Sequence, residues 1–297
     1  MNQGSKGFSL IELLMALTIT MGVGTAVFQL FRQNEQVFRD QNLMIEMQQA
    51  VRAVASQIGD EVRMAGQGVP IYASRFDSTP GEATAAILPS SSSSRIDFRA
   101  GLSNVETHVT SPLPIDCDPG VTRTLSVGDV FPFSNALGTN TPAGKFVYVW
   151  GPTGTSTWTW VRAELNGIGS GTLTVTPSQA GSPAVRFTQP PTVSLEEAVS
   201  FQLSGTAIRR ATATDMTDPT TPTWAAANEI GRNFQSLVFT YYDRKNLVVI
   251  PGSLAARLSI ARIDVGLAVQ PSNFLSNGKR PIYSISLRTI PRNLRIR

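Results

Sequence analysis

Few side chains in this 297-residue chain have the types and spacing to do chemistry on a substrate. There is one cysteine, Cys117, and one histidine, His108. An intrachain disulfide is thereby ruled out, and zinc sites or nucleophilic triads that need several such residues are almost excluded. Asp116 and Asp118 flank the cysteine, and Asp215 precedes Asp218 by three positions. Either pair could begin a calcium site, but neither reaches the ligand count that ion takes, and turn formation explains them better. Cys117 beside Asp116 reads as a loop thiol. His108, alternating with Val105, Thr107 and Val109, reads as an ordinary strand residue. No nucleophile–base pair, metal cluster or phosphate loop is present in the sequence, so the chain is expected to be a non-enzyme with no catalytic residue, no metal and no cofactor.

One charge stands apart from the rest. Residues 8–31 hold 16 apolar residues and two glycines, Gly22 and Gly24, with Glu12 as the single charge. A carboxylate inside such a run costs about 2.5–3.5 kcal/mol on insertion scales, so it is expected to have a partner and a purpose. The nearest candidate is an amine one helical turn back, at Phe8, if the chain begins there. The positive end of the helix dipole also favours Glu12 in that place.

The element that positions Glu12 is a helix. At a rise of 1.5 Å per residue, 24 residues span about 36 Å, enough for a hydrocarbon core of about 30 Å. The short polar start, residues 1–7 with Lys6, predicts a cytoplasmic N-terminus and an exported remainder. The run is longer than the apolar part of a secretory signal peptide and has no clean small-residue cleavage site after Phe31. No cysteine follows it for a lipid anchor.

Beyond Phe31 the chain turns polar without a break: no proline occurs before Pro70, and no glycine between Gly24 and Gly59. Leu43, Met47, Val51, Val54, Ile58, Val62 and Ala65 recur at intervals of three and four among charged residues, the stripe of an amphipathic helix. Gly66 and Gly68 followed by Pro70 supply a stop. One helix over 8–65, about 87 Å long, is therefore expected. Glycine weakens a helix by about 1 kcal/mol relative to alanine. Gly22 and Gly24 mark either a point of helix flexibility or a place of close helix packing.

The segment Gly7-Phe8-Ser9-Leu10-Ile11-Glu12-Leu13-Leu14-Met15-Ala16-Leu17 resembles the class III signal of type IV prepilins and type II secretion pseudopilins. The resemblance implies cleavage between Gly7 and Phe8 by a membrane prepilin peptidase, which also methylates the new N-terminus at Phe8. It implies that Glu12, fifth in the mature chain, pairs with the N-terminal amine of a neighbouring subunit during assembly. Helix flexibility at Gly22 and Gly24 would then serve filament packing. Removal of residues 1–7 takes away Lys6 and lowers the side-chain charge from +4 to +3.

From residue 67 onward, short β-type runs alternate with Gly, Pro, Ser and Thr. Strands are predicted over 95–100, 145–151, 157–163, 172–176, 198–203, 207–212, 236–242, 246–250, 260–269 and 282–289, with a short helix over 225–234. The domain plan is a leader over 1–7, a transmembrane or filament-core helix over 8–31, its amphipathic continuation over 32–66, and an exported β-rich domain over 67–297. The fold class is α+β, a long N-terminal helix packed on a large antiparallel β-rich domain, as the resemblance to pilins implies.

Within that family the strand–turn–strand of residues 199–210 followed by Leu237-Val238-Phe239-Thr240-Tyr241-Tyr242-Asp243 is similar to the PilW-type minor pilins, and more distantly to the J-type minor pseudopilins. The implied role is a minor subunit that primes or assembles a type IV pilus at or near its tip. A type II secretion pseudopilin and a pilus-displayed adhesin or DNA-binding module are the alternatives. The implied partners are the prepilin peptidase/methyltransferase, other minor and major pilins, the inner-membrane assembly platform, and membrane lipid before assembly. Nucleic acid enters through the C-terminal stretch, where Arg244, Lys245, Arg257, Arg262, Lys279, Arg280, Arg288, Arg292, Arg295 and Arg297 face one acid, Asp264. Several of these lie on predicted strands as a solvent face, and no aromatic interleaving marks a stacking platform, so nucleic acid is the weaker reading.

Overall fold

The computed structural model describes residues 9–70, 76, 81–154, 157–178, 184–291 and 294. Its first element is the expected helix, α1 (Leu10–Arg63), about 81 Å long. The helix runs unbroken through Gly22 and Gly24 and ends at Met64, whose N–H bonds back to the Glu61 and Val62 carbonyls. Gly66 and Gly68 follow with φ of 82° and 78°, a left-handed conformation that glycine adopts without steric cost. Gly66 N–H donates to the Arg99 carbonyl at 2.8 Å, so the stop also ties the helix to the sheet.

The head begins with β1 (Arg95–Arg99), β2 (Glu106–His108), β3 (Ile115–Cys117), β4 (Arg123–Ser126) and a short helix α2 (Phe131–Leu137). Next come β5 (Phe146–Pro152), β6 (Trp158–Gly169), β7 (Thr172–Pro177), β8 (Val185–Phe187) and β9 (Thr192–Leu195). The chain continues through β10 (Ala198–Ser204), β11 (Ala207–Asp215), β12 (Thr223–Trp224), β13 (Asn228–Gly231), β14 (Phe234–Tyr242) and β15 (Val248–Val249). It closes with α3 (Leu254–Ser259), β16 (Arg262–Val269) and β17 (Tyr283–Thr289).

Every strand pairing among these is antiparallel. One sheet runs β15-β14-β16-β17, a second β2-β9-β5-β6-β7-β4, and a third β1-β10-β11 with both β12 and β13 on β11; β3 pairs with β8. The α+β class is thus the one expected.

The helical stripe meets the head as its spacing predicted. Met47, Val51, Val54, Ile58 and Val62 are buried against Ile263, Val265, Leu267 and Val269 of β16 and against Ile285 and Leu287 of β17. Each such side chain removed from water contributes about 1.5–3 kcal/mol. Gly59 lets Leu287 approach, since a Cβ there would lie 2.4 Å from Leu287 Cδ2, and Gly231 likewise admits Val54. Glu61 accepts two hydrogen bonds from Arg210 Nε, at 2.8 and 2.9 Å, which fixes the helix against β11.

Two large cores share one strand. Tyr148 of β5 faces the core that contains α1, while Val147 and Val149 face a second core between the six-stranded sheet and the β3–β8 ribbon. That two-sided burial is why residues 146–149 read as an unbroken apolar run.

Several expectations change. The helix over 225–234 is absent: Asn228–Gly231 is strand β13 on β11, and Phe234 opens β14. Asn233 between them has φ of 65°, a turn residue that breaks any helical run. Cys117 is not in a loop; it is a fully buried residue of β3. Asp116 is likewise a strand residue, with its carboxylate 3.6 Å from Arg186. The strand expected over 246–250 shrinks to Val248–Val249, and β6 continues six residues beyond its expected end.

Candidate functional site: the bare apolar helix and its glutamate

The first turn of α1 is built around Glu12. Ser9 is the N-cap, with φ −74° and ψ 138°. Its carbonyl accepts the Glu12 and Leu13 N–H groups, and its own N–H donates to Glu12 Oε2 at 3.0 Å. Glu12 therefore satisfies one of the orphan donors that begin every helix, and its charge sits at the positive end of the dipole. The cleavage residues Gly7 and Phe8 lie outside the described residues, as does the amine expected to pair with Glu12.

The turns that follow have no cover. Leu10, Ile11, Leu13, Met15, Leu17, Ile19, Met21, Val23, Phe28 and Phe31 are each more than half exposed. Thr18, Thr20 and Thr25 turn their hydroxyls onto carbonyls one turn back, at 2.7–3.1 Å, so these hydroxyls are bonded within the helix. The helix is long and apolar enough to cross a membrane, consistent with single-pass anchoring. A continuous apolar surface of this size is not stable in water and marks a membrane or protein contact. A Cβ built on Gly22 or Gly24 would meet nothing within 4 Å, so packing inside this chain requires neither glycine.

The helix is clamped to the head at two polar points. One is the Glu61–Arg210 pair. The other is Asp40, whose carboxylate accepts the Ser276 N–H at 3.0 and 3.1 Å together with its hydroxyl. The hydroxyl bond holds the exposed Asp40 carboxyl below its ordinary range.

Inside the head, a buried charge cluster joins the two cores. Glu196, between β9 and β10, accepts Arg99 Nε at 2.8 Å, Arg162 Nε at 2.7 Å and the Tyr148 hydroxyl at 3.0 Å. All four residues are at most 3% exposed. Arg99 also donates to the Ala85 carbonyl at 2.6 Å and to that of Pro219, while Arg162 donates to the Met216 carbonyl and lies 3.8 Å over the Phe146 ring. Burial pushes the Tyr148 phenol well above its ordinary range, and the Glu196 charge adds to that. With its carboxylate shared among three donors and all four residues buried, this cluster is a structural staple.

The remaining candidates resolve simply. Burial pushes the Cys117 thiol up to about 11, which makes it inert as a nucleophile. His108 is an exposed β2 residue whose Nδ1 lies 3.0 Å from the Thr192 hydroxyl. Asp215 and Asp218 form turns: Asp215 accepts from Thr217 N–H, and Asp218 from the amides and hydroxyls of Thr220 and Thr221, which lower it to about 2. Among the described residues no three His, Cys, Asp or Glu side chains come together as a metal site.

The C-terminal cations are dispersed. Arg257 is buried and paired with Glu82. Arg262 lies over Tyr242 at 3.8 Å and bridges Asp264 at 3.1 Å, and Arg280 lies over Phe274 at 4.2 Å. Arg292, Arg295 and Arg297 fall outside the described residues. Sequence reasoning missed both the Glu196 cluster and the Asp40–Ser276 clamp, whose partners are separated by up to 236 positions. Comparison of the chain with protein-family models, curated proteins and solved structures returns no match.

Proposed function

We propose that this chain is a minor type IV pilin, most similar to the PilW type, that is cut between Gly7 and Phe8, methylated at Phe8, and used to prime or assemble a pilus at or near its tip. The observation that carries the reading is a single helix with two solvents: residues 10–31 are bare and apolar, while the next 32 residues are amphipathic and clamped to a head. Glu12 supports it further, because a carboxylate at the exposed start of an apolar helix is placed to meet a cation from another subunit once assembly removes it from water.

Gly22 and Gly24 fit a helix that must adjust on assembly, since nothing in the isolated chain needs their small size. In this reading the partners are the prepilin peptidase, other pilins and the inner-membrane assembly platform. The chain resides in the inner membrane with its head exported until it enters the filament. Its function is structural.

A deletion strain scored for piliation, protein secretion and DNA uptake tests the proposal. Loss of pili, restored by the wild-type gene, is the expected result. Normal piliation with lost secretion would assign the chain to a pseudopilus, and normal piliation with lost DNA uptake would assign it to a binding role.

A further inference from the structure

The loop between β16 and β17 reaches back to α1 at Asp40. Its tip is a tight turn in which Leu275 N–H donates to the Lys279 carbonyl and Gly278 N–H to the Leu275 carbonyl, both at 2.9 Å. Ser276 in that turn is bound to Asp40, so the tip sits at the height of Asp40 along the helix. Asp40 is nine residues past Phe31, the last residue of the apolar run, which places the tip about 13 Å beyond its end. Headgroups occupy about 5–7 Å of that distance. Lys279 and Arg280 therefore hang within a Debye length of the headgroup plane.

The loop's composition suits that position. Phe274 and Ile282 are 57% and 64% exposed. Arg280 lies 4.2 Å over the Phe274 ring, an aromatic with a cation on its face. Lys279 is exposed and close in sequence to no acid. Arg39 on α1 brings one more cation to this level, beside the Asp40 carboxylate already held by Ser276, and Arg32 and Glu35 lie nearer the apolar run. Lysine and arginine at that distance are attracted to an anionic leaflet.

We infer that the 274–282 loop is a lipid-facing surface, drawn to anionic headgroups by its cations, which holds the head down toward the membrane before assembly. The occupant is an anionic phospholipid such as phosphatidylglycerol, recognised by Lys279 and Arg280. This inference rests on the membrane-anchored reading of α1, and it adds a second contact between the same chain and the bilayer.

The test uses the full chain reconstituted into vesicles of phosphatidylcholine alone or with added phosphatidylglycerol. Ser272→Cys carries a fluorophore, which the buried Cys117 does not take up, and nitroxide-headgroup lipid reports contact by quenching. Strong quenching is expected only with phosphatidylglycerol, and high salt should abolish it. The double variant Lys279→Gln/Arg280→Gln removes two exposed cations and leaves the head folded, as continued protection of Cys117 verifies. It should lower the contact equilibrium about thirtyfold, from two cations at about 1 kcal/mol each and 1.4 kcal/mol per decade. Equal quenching in both vesicle types, or none lost in the double variant, would overturn the inference. Vesicle flotation separates the two levels: a chain that floats without quenching refutes the loop contact alone, and a chain that does not float refutes the membrane anchor and the loop contact together.

Discussion

Replacing Glu196 by Gln should weaken the head strongly. The substitution keeps the shape and removes the charge that both Arg99 and Arg162 face at 2.8 and 2.7 Å, in a site where the side chains are at most 2% exposed. Removing one partner from a buried ion cluster costs about 3–5 kcal/mol, because the charges left behind cannot reach water. Two arginines face this one carboxylate, so a loss within that range is expected. Against a typical total stability of about 5–15 kcal/mol, that is a large share. Tyr148→Phe removes one hydrogen bond to the same carboxylate and should cost about 1.5–3 kcal/mol. The assay is urea unfolding of the full chain in detergent, followed by tryptophan fluorescence, since Trp150 and Trp160 lie on the strands that carry Tyr148 and Arg162. A double-mutant cycle of Glu196→Gln with Arg99→Gln should be strongly non-additive. A loss below about 1 kcal/mol in Glu196→Gln, or additive losses in the cycle, would refute the cluster as a staple.

Other consequences are independent of that cluster. Gly68→Ala should cost about 2 kcal/mol or more in thermal unfolding, because Gly68 has φ of 78° and a Cβ there would press to 3.2 Å from Gly101 Cα. Ile58→Ala should cost about 2–5 kcal/mol and loosen the helix from β16 and β17, seen as faster amide exchange over residues 47–62. The Cys117 thiol is raised from 9.0 to about 11 in the folded state, so its contribution is complete below pH 9 and is lost as pH rises toward 11. The stability difference between wild type and Cys117→Ala should therefore be flat to pH 9 and shrink above it, by up to about 3 kcal/mol. Glu12→Gln keeps an acceptor for the Ser9 N–H but no charge, so the chain should still be inserted and cleaved yet be missing from purified filaments. Normal incorporation would rule out the pairing assigned to Glu12.

The long helix and the principal strands were legible in the sequence because their signals are local. A stripe repeating every three to four residues and a glycine pair before Pro70 specify α1 and its end, and alternation over residues 262–269 specifies β16. What escaped depends on distant partners. Residues 225–234 carry enough alanine to suggest a helix, but pairing with β11 overrides that propensity. Arg95, Asp97 and Arg99 alternate with Ile96 and Phe98, the pattern of a strand with one wet face, yet four of the five residues in β1 are buried. Arg99 is tolerated inside because distant groups come to meet it, Glu196 from 97 residues away among them. The Asp40–Ser276 clamp spans most of the chain, and no short-range pattern announces it. Cys117 looked like a loop thiol because of its aspartate neighbours, whereas Arg186 and Arg123 satisfy those carboxylates and leave the sulfur to pack inward.

The proposed role as a processed pilin stands or falls at the chain's N-terminus. Mass spectrometry of the mature protein, taken from the membrane fraction and from sheared filaments, measures that directly. The account predicts a chain beginning at an N-methylated Phe8 in both fractions. An intact Met1, or a start at any residue other than Phe8, would contradict it.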